Sequence, residues 1–351
     1  MTTHEKYMQR CLELASHGLG LVAPNPMVGC VILHEGKIIG EGFHHEFGGA
    51  HAEVNAINSV KNKSLLSKST LYVSLEPCSH HGKTPPCADL IIEHQIPQVV
   101  IGSKDSNPQV GGKGIEKLQK AGVEVITGVL ENECRELNKR FFTFHEQKRP
   151  YIILKWAQSS DGFIDHIRDD ENHGPATISS ETSRSLVHKW RSEEQAIMVG
   201  TNTAILDNPQ LTVRLWKGKN PLRVVPDSTL RVSPDLHLLD GSTPTLVITS
   251  ENNKNRIKKI PNTEYAFFKP EEGTVESALK ALHERGIQSL IVEGGSLLLN
   301  FMITHNYWDE ARVFVSPKML GEGIHAPKME TQADALEDIA EDKLYFYRRK
   351  A

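Results

Sequence analysis

Apolar residues recur along the chain at two periods, and their alternation predicts the architecture. Tyr7, Met8, Cys11, Leu12 and Ala15 fall at helical spacing, so residues 4–17 read as an amphipathic helix stopped by Gly18. Val28, Cys30, Val31 and Ile32, then Glu35-Gly36, then Ile38 and Ile39, read as a hairpin over 27–43. Next come a helix over 51–60, a strand over 70–74, a helix over 87–95 and a strand over 99–102. A helix over 113–122, a strand over 123–127 and one longer helix over 131–144 complete the first half. This alternation predicts an α/β layered domain with a largely parallel inner sheet.

The polar run His145-Glu146-Gln147-Lys148-Arg149-Pro150 breaks the pattern, and Tyr151-Ile152-Ile153-Leu154-Lys155-Trp156 starts a new buried strand. Two domains are expected, over 1–147 and 148–351. In the second, helices are expected over 181–191, 275–285 and after Gly294-Gly295. Strands are expected over 196–200, 222–225, 245–249, 289–292, 310–315 and 344–348. No internal repeat or low-complexity tract is present.

Composition narrows the class. At 351 residues the chain has room for two cores. With 40 Lys and Arg against 44 Asp and Glu, the formal net charge is −4, which argues against a general nucleic-acid binder. No apolar run reaches the roughly 18 residues of a membrane span. The run Met1-Thr2-Thr3-His4-Glu5-Lys6 lacks the apolar core of a secretion signal, so a cytoplasmic protein is expected. Five cysteines, an odd number, make a disulfide framework a poor reading and leave a metal site or reduced core thiols. Cys11, Cys30 and Cys134 lie on apolar faces and read as core.

The candidate chemistry of the first half lies at two helix starts. His51-Ala52-Glu53 opens one, and Pro77-Cys78 leads through a polar loop to Pro86-Cys87, which opens another. One His and two Cys would give three protein ligands to a Zn²⁺ ion, leaving the fourth tetrahedral position for water. Glu53, two residues after His51, would move that water's proton to the leaving amine. A His-x-Glu with Pro-Cys-x-x-Cys is the zinc nucleobase deaminase signature. Here the second Cys follows the first by nine positions rather than three. Taken singly, each part has a bland reading, as a chance helix start or a buried thiol.

The run Pro77-Cys78-Ser79-His80-His81-Gly82-Lys83-Thr84-Pro85-Pro86-Cys87, with Ala23-Pro24-Asn25-Pro26-Met27-Val28-Gly29 and His51-Ala52-Glu53, resembles the riboflavin-biosynthesis deaminases of the cytidine-deaminase superfamily. The resemblance implies a three-layer α/β/α domain, one Zn²⁺ per chain and hydrolytic loss of a ring amine from a diaminopyrimidinone ribosylamine 5′-phosphate. It also implies that Asn25, His80, Lys83, Asp105 and Asn107 line the substrate pocket.

In the second half no Gly-x-Gly-x-x-Gly follows a strand, and Gly111-Gly112-Lys113-Gly114 reads as a turn, so a Rossmann site is not supported. Val292-Glu293-Gly294-Gly295-Ser296 places two glycines between a strand and a helix, where backbone amides could hold an anion. An ordinary turn is the alternative. In order, 155–162, 199–203, 207–214 and 292–296 resemble the dihydrofolate-reductase-like reductase domain of the bifunctional members of that family. The resemblance implies NADPH as hydride donor and reduction of the ribose to a ribityl chain. It places Arg191, Leu211, Arg214 and Glu293 on the substrate, the arginines suiting its phosphate. It places Ala157, Thr203, Asp207 and Gly295, with the residues after Gly295, on the cofactor. A homodimer or higher homo-oligomer is also implied.

The chain departs from the family at Gly174-Pro175-Ala176-Thr177-Ile178-Ser179, where Thr177 replaces a usual Trp and Pro175 a frequent Ser. The charged stretch 165–173 is also unusual. These features motivate the alternative of an active deaminase with a silent reductase domain. A nucleic-acid-editing protein on the same zinc fold is a third reading, opposed by the acidic balance.

Overall fold

The computed structural model describes residues 1–79, 85–107, 111–168 and 174–350. The chain forms two compact units, Met1–Lys148 and Arg149–Ala351. The first contains, in order, α1 (Thr3–Ser16), β1 (Gly29–His34), β2 (Lys37–Phe43), α2 (Ala52–Ser59), β3 (Thr70–Leu75), α3 (Cys87–Glu93), β4 (Gln98–Ser103), α4 (Lys113–Lys120), β5 (Glu124–Thr127), α5 (Glu131–Leu137) and α6 (Lys139–Gln147). Its sheet runs β2-β1-β3-β4-β5.

Side chains on alternate strand residues enter opposite layers. Ile32, Val73 and Ile101 pack with Ala56, Ile91 and Leu118 of α2, α3 and α4. Val31, Tyr72 and Val100 pack with Met8 and Leu12 of α1 and Cys134 of α5. The result is a three-layer α/β/α unit. Cys11 and Cys134 share the second layer, and Cys30 lies in the first.

Two expectations are corrected here. The sheet is mixed rather than largely parallel: β1 pairs antiparallel with both β2 and β3, and only β3, β4 and β5 run parallel. The tight Glu35-Gly36 turn commits β2 to the antiparallel sense. The single helix over 131–144 is broken at Asn138 (φ −100°, ψ 24°). Its side chain leaves the helix to clamp the backbone of Met27, accepting from the Met27 N–H and donating to the Met27 carbonyl, both at 2.8 Å. Asn138 is buried, so the helix break satisfies two backbone groups beside the loop that carries Asn25.

The second unit contains β6 (Tyr151–Gln158), β7 (Phe163–Asp165), α7 (Glu181–Glu193), β8 (Ala196–Met198), α8 (Thr201–Leu206), β9 (Leu222–Pro226), β10 (Thr245–Ser250), β11 (Thr263–Phe268), α9 (Thr274–Glu284), β12 (Ser289–Val292), α10 (Ser296–Thr304), β13 (Glu310–Val315), β14 (Ile324–His325), β15 (Ala335–Ile339) and β16 (Asp342–Arg348). Its large sheet runs β11-β10-β9-β8-β12-β6-β13-β16-β15, parallel from β11 to β13 and antiparallel beyond. Ile152, Leu154 and Trp156 face α9 and α10, while Tyr151 and Ile153 face Val187 and Trp190 of α7.

Strands β7, β11, β14 and β15 and the short helix α8 escaped the sequence pattern. The β11 strand lies at the sheet edge with Phe268 its one buried residue, and α8 spans six residues. Neither is long enough, or buried enough, to impose a clear period. Among the described residues no helix is long and apolar enough to cross a membrane.

Candidate active sites

In the first unit the three donors converge because each sits at a chain turn above the sheet. His51 is the residue before α2, Cys78 follows β3 by three positions, and Cys87 begins α3. Gly42 on β2 allows α2 to lie close to the strand: a Cβ there would meet Ala56 N at 2.4 Å and Ala52 O at 2.7 Å. His51 Nδ1 stands 3.6 Å from Cys78 Sγ and 3.4 Å from Cys87 Sγ, and all three donor atoms lie within 4.8 Å of one another. Ligand bonds of about 2.0 Å to nitrogen and 2.3 Å to sulfur give a tetrahedral N···S edge of about 3.6 Å. The donor set therefore fits zinc in both chemistry and spacing.

The electrostatics agree with that use. The hydrogen bond with Cys87, aided by His51, holds the Cys78 thiol down to about 4. The same bond, together with burial, pushes the Cys87 thiol up. Two thiols sharing one proton are preset to lose it to a cation. Glu53 is 3% exposed. Burial pushes its carboxyl up to about 7, the Cys78 charge adding and His51 opposing. A carboxyl poised there can both take and return a proton near neutral pH.

Surrounding residues fix the ligands. His44 Nδ1 contacts the Ala50 carbonyl at 3.0 Å, so Nδ1 carries the proton and Nε2 accepts from Asn25 Nδ2, also at 3.0 Å. Asn55 Nδ2 donates to the Ala50 carbonyl (3.2 Å) and to that of Phe43 (2.8 Å). The chain entering His51 is thereby held, and the Asn25 amide is oriented with it. Buried Glu76, beside the Pro77-Cys78 turn, accepts from the backbone N–H groups of Asp105 (3.3 Å), Gly112 (2.9 Å), Gly114 (2.9 Å) and Ile115 (3.3 Å). It ties the cysteine turn to the loop bearing Asp105 and Asn107, where the Asn107 N–H donates to Asp105 Oδ1 (2.7 Å). His80 and Lys83 lie outside the described residues. Sequence reasoning missed His44 and Glu76. A Glu before Pro-Cys was a visible signal for the second, while His44 carried none.

In the second unit two cavities open at the carboxyl ends of the parallel strands, where α/β sheets bind ligands. The larger, about 630 Å³, contains Ala157, Thr203, Asp207 and Gly295 in its wall. The smaller, about 520 Å³, contains Arg191, Leu211, Arg214 and Glu293. Pro175, Thr203, Asp207 and Glu293 line both. Gly295 permits a close approach, since a Cβ there would meet Thr203 Oγ1 at 2.8 Å. Pro175, Ala176 and Ile178 form part of the larger wall, while Thr177 is exposed and its carbonyl accepts from Lys318 Nζ (2.8 Å).

Glu293 is the electrostatic centre. It accepts from Arg191 Nε and Nη2, both at 2.7 Å, and lies 3.9 Å from Lys155 Nζ. Burial pushes its carboxyl up, but Arg191 and Lys155 outweigh this and hold it down to about 2. Burial presses the Lys155 ammonium down, Glu293 opposing. Lys155 was missed as a site residue because in the sequence it shows only as one position of a buried strand. Arg168, from the unusual charged stretch, pairs with Asp165 (2.5 Å) and with Asp207.

His188 on α7 is buried. Its Nδ1 accepts from the Arg214 N–H (2.9 Å), and burial, with Arg191 and Arg214 nearby, presses its pKa down to about 4. The unfolded chain binds a proton at the ordinary value near 6.5, so it holds more protons than the folded chain between those values. Stability is therefore expected to fall as pH falls from about 6.5 towards 4, by up to about 3 kcal/mol from this group. Denaturant unfolding across that range should show the slope, and His188→Asn should reduce it. An equal slope in the variant contradicts the assignment.

Both units resemble known proteins. A family model described as the RibD C-terminal domain matches residues 150–340, and one described as the cytidine and deoxycytidylate deaminase zinc-binding region matches residues 1–103. The chain is 39% identical to the riboflavin biosynthesis protein RibD of Aquifex aeolicus, covering 98% of each, and 35% identical to that of Escherichia coli, covering 94% of this chain and 93% of the relative. The crystal structure of a diaminohydroxyphosphoribosylaminopyrimidine deaminase/5-amino-6-(5-phosphoribosylamino)uracil reductase from Thermotoga maritima matches with a TM-score of 0.87 and 39% identity over 98% of each chain.

Proposed function

The chain belongs to the RibD family of riboflavin biosynthesis proteins, and from that premise we propose which of its residues perform the two reactions. It is a bifunctional enzyme, a zinc-dependent deaminase and an NADPH-dependent reductase acting on small pyrimidine phosphates. We assign the deaminase to 1–147 and the reductase to 148–351.

The observation that carries the deaminase assignment is the buried Glu53 carboxyl beside three donors at zinc-ligand spacing. His51, Cys78 and Cys87 would hold the metal, which would supply the acidity that makes water a nucleophile near neutral pH. Glu53 accepts a proton from the attacking water on its carboxylate and returns it to the departing ring amine, which leaves as ammonia. Asn25, oriented through His44, offers its amide to the pyrimidine edge. Asp105 and Asn107 complete that wall, and His80 and Lys83 are assigned to the same pocket.

In the reductase, the larger cavity takes the cofactor through Ala157, Thr203, Asp207 and Gly295, and the smaller takes the substrate through Arg191, Leu211, Arg214 and Glu293. NADPH held there would supply the hydride that the ribose reduction needs. Lys155 Nζ, buried beside Glu293 with its proton loosened, supplies the proton that the adjoining nitrogen needs. Arg191, which lines the substrate cavity, also binds Glu293 through two nitrogens and so holds that carboxylate in place.

Removing the metal with a chelator is expected to abolish ammonia release while NADPH oxidation on ready-deaminated substrate continues unchanged. Loss of both activities together contradicts separate sites. A cytoplasmic homodimer or higher homo-oligomer completes the proposal on the strength of the family resemblance. A sedimenting species of 39.2 kDa at micromolar concentration counts against the oligomer.

A further inference from the structure

The wall of the smaller cavity carries two guanidiniums, Arg191 and Arg214, while its carboxylates are already paired, Asp207 with Arg168 and Glu293 with Arg191 and Lys155. Arg191 is bound through two nitrogens to Glu293, and its Nη1 donates to the Thr212 carbonyl (3.2 Å). Arg214 is the more open of the two, its Nη1 resting on Gln210 Oε1 and Thr212 Oγ1, both at 3.1 Å. Pro175, on the same wall, has no hydrogen-bond donor. A phosphate monoester carries about −1.5 to −2 at neutral pH and presents three strong acceptor oxygens. One guanidinium does not match that.

The same wall contains His237. It opens a single helical turn, His237–Leu239, and its main chain is fixed from two sides. The His237 N–H donates to Asn208 Oδ1 at 2.7 Å, and Asn208 is itself a wall residue. The His237 carbonyl accepts from Arg223 Nη1 at 2.7 Å. Arg223 is fully buried, and its other nitrogens donate to Thr245 Oγ1 (2.9 Å), the Thr243 carbonyl (2.8 Å) and Asp240 Oδ1 (3.2 Å). A buried arginine fastened this way holds the turn rigidly. The imidazole remains 45% exposed, with Nδ1 at 3.8 Å from Asp240 Oδ2. An imidazole presents at least one ring N–H as a hydrogen-bond donor.

We propose that His237 binds the 5′-phosphate of the substrate together with Arg214, and so sets the preference for phosphorylated over unphosphorylated ribosylamines. This rests on the reductase assignment above. The anchors of His237 are main-chain groups, so replacing its side chain leaves them in place. Arg223 and Asn208 are positioning residues, and only His237 and Arg214 touch the anion.

The test is calorimetric titration of the full chain with ribose 5-phosphate and with ribose, for the parent, His237→Ala and His237→Leu, alongside reductase kinetics. Loss of one charge-assisted hydrogen bond is expected to weaken ribose 5-phosphate about tenfold and leave ribose unaffected. Reductase KM should rise about tenfold, with kcat within twofold of the parent. Equal affinity of all three proteins for ribose 5-phosphate overturns the inference, as does an equal loss of affinity for both sugars. A parent protein that binds ribose 5-phosphate through His237 yet never oxidises NADPH sinks the reductase assignment and leaves this inference standing. A parent that reduces its substrate with a KM insensitive to His237 does the reverse.

Discussion

Replacing Glu53 by glutamine is expected to lower ammonia release about a thousandfold, with zinc content and NADPH-dependent reduction unchanged. General acid–base catalysis by one placed group contributes about 10² to 10⁴. Glu53 is the group that must act twice, once taking a proton from the nucleophile and once giving it to the leaving amine. Its burial holds its carboxyl near pH 7, so both directions are accessible. Glutamine keeps the shape and removes the proton exchange. Because Glu53 is two residues from His51 and not among the three donors, metal content is the internal control. A variant that keeps zinc and releases ammonia at the parent rate rules out the assignment. One that loses zinc shows instead that Glu53 supports the ligands.

Replacing Glu293 by glutamine is expected to lower reductase turnover about a hundredfold or more and to destabilise the protein by about 3–5 kcal/mol. The carboxylate is buried between Arg191 and Lys155, and removing one partner of a buried ion pair leaves uncompensated charge. Two cations are orphaned here, and the wall common to both cavities keeps Asp207 as its remaining acid. Lys155 should then surrender its proton still more readily, so the pH optimum of reduction should move down. Deamination should persist wherever the chain stays folded. Denaturant unfolding and single-turnover NADPH oxidation separate the two effects. A stable variant with parent turnover contradicts the role of Glu293.

Much of this was legible in the sequence because its physical causes are local. His51 and Cys87 stand at helix starts and Cys78 just after a strand, where the chain turns above a sheet, and the structure brings the three donor atoms within 4.8 Å of one another. The helical and strand periods of Tyr7–Leu12 and Ile152–Trp156 matched the layers they fill. What stayed hidden depends on tertiary partners. Asn138 breaks a helix because Met27, 111 positions earlier, needs its amide. His44 matters through Ala50 and Asn25, and Glu76 through backbone groups about 30–40 positions later. Lys155 shows only as one position of a buried strand until the strand beside it brings Glu293 within reach. The departure at Thr177 was visible in sequence. Its place is not: the residue is exposed and its neighbours, rather than its own side chain, form the cavity wall.

That one chain carries out two reactions in order is tested directly by mass analysis of the pyrimidine ribosylamine phosphate after incubation with zinc-loaded protein. Without NADPH the expected product is deaminated only. With NADPH the expected product is also reduced, gaining two hydrogens. Deaminated product in both tubes contradicts the reductase half and directs attention to Thr177 and Pro175. Unchanged substrate in both contradicts the substrate assignment itself.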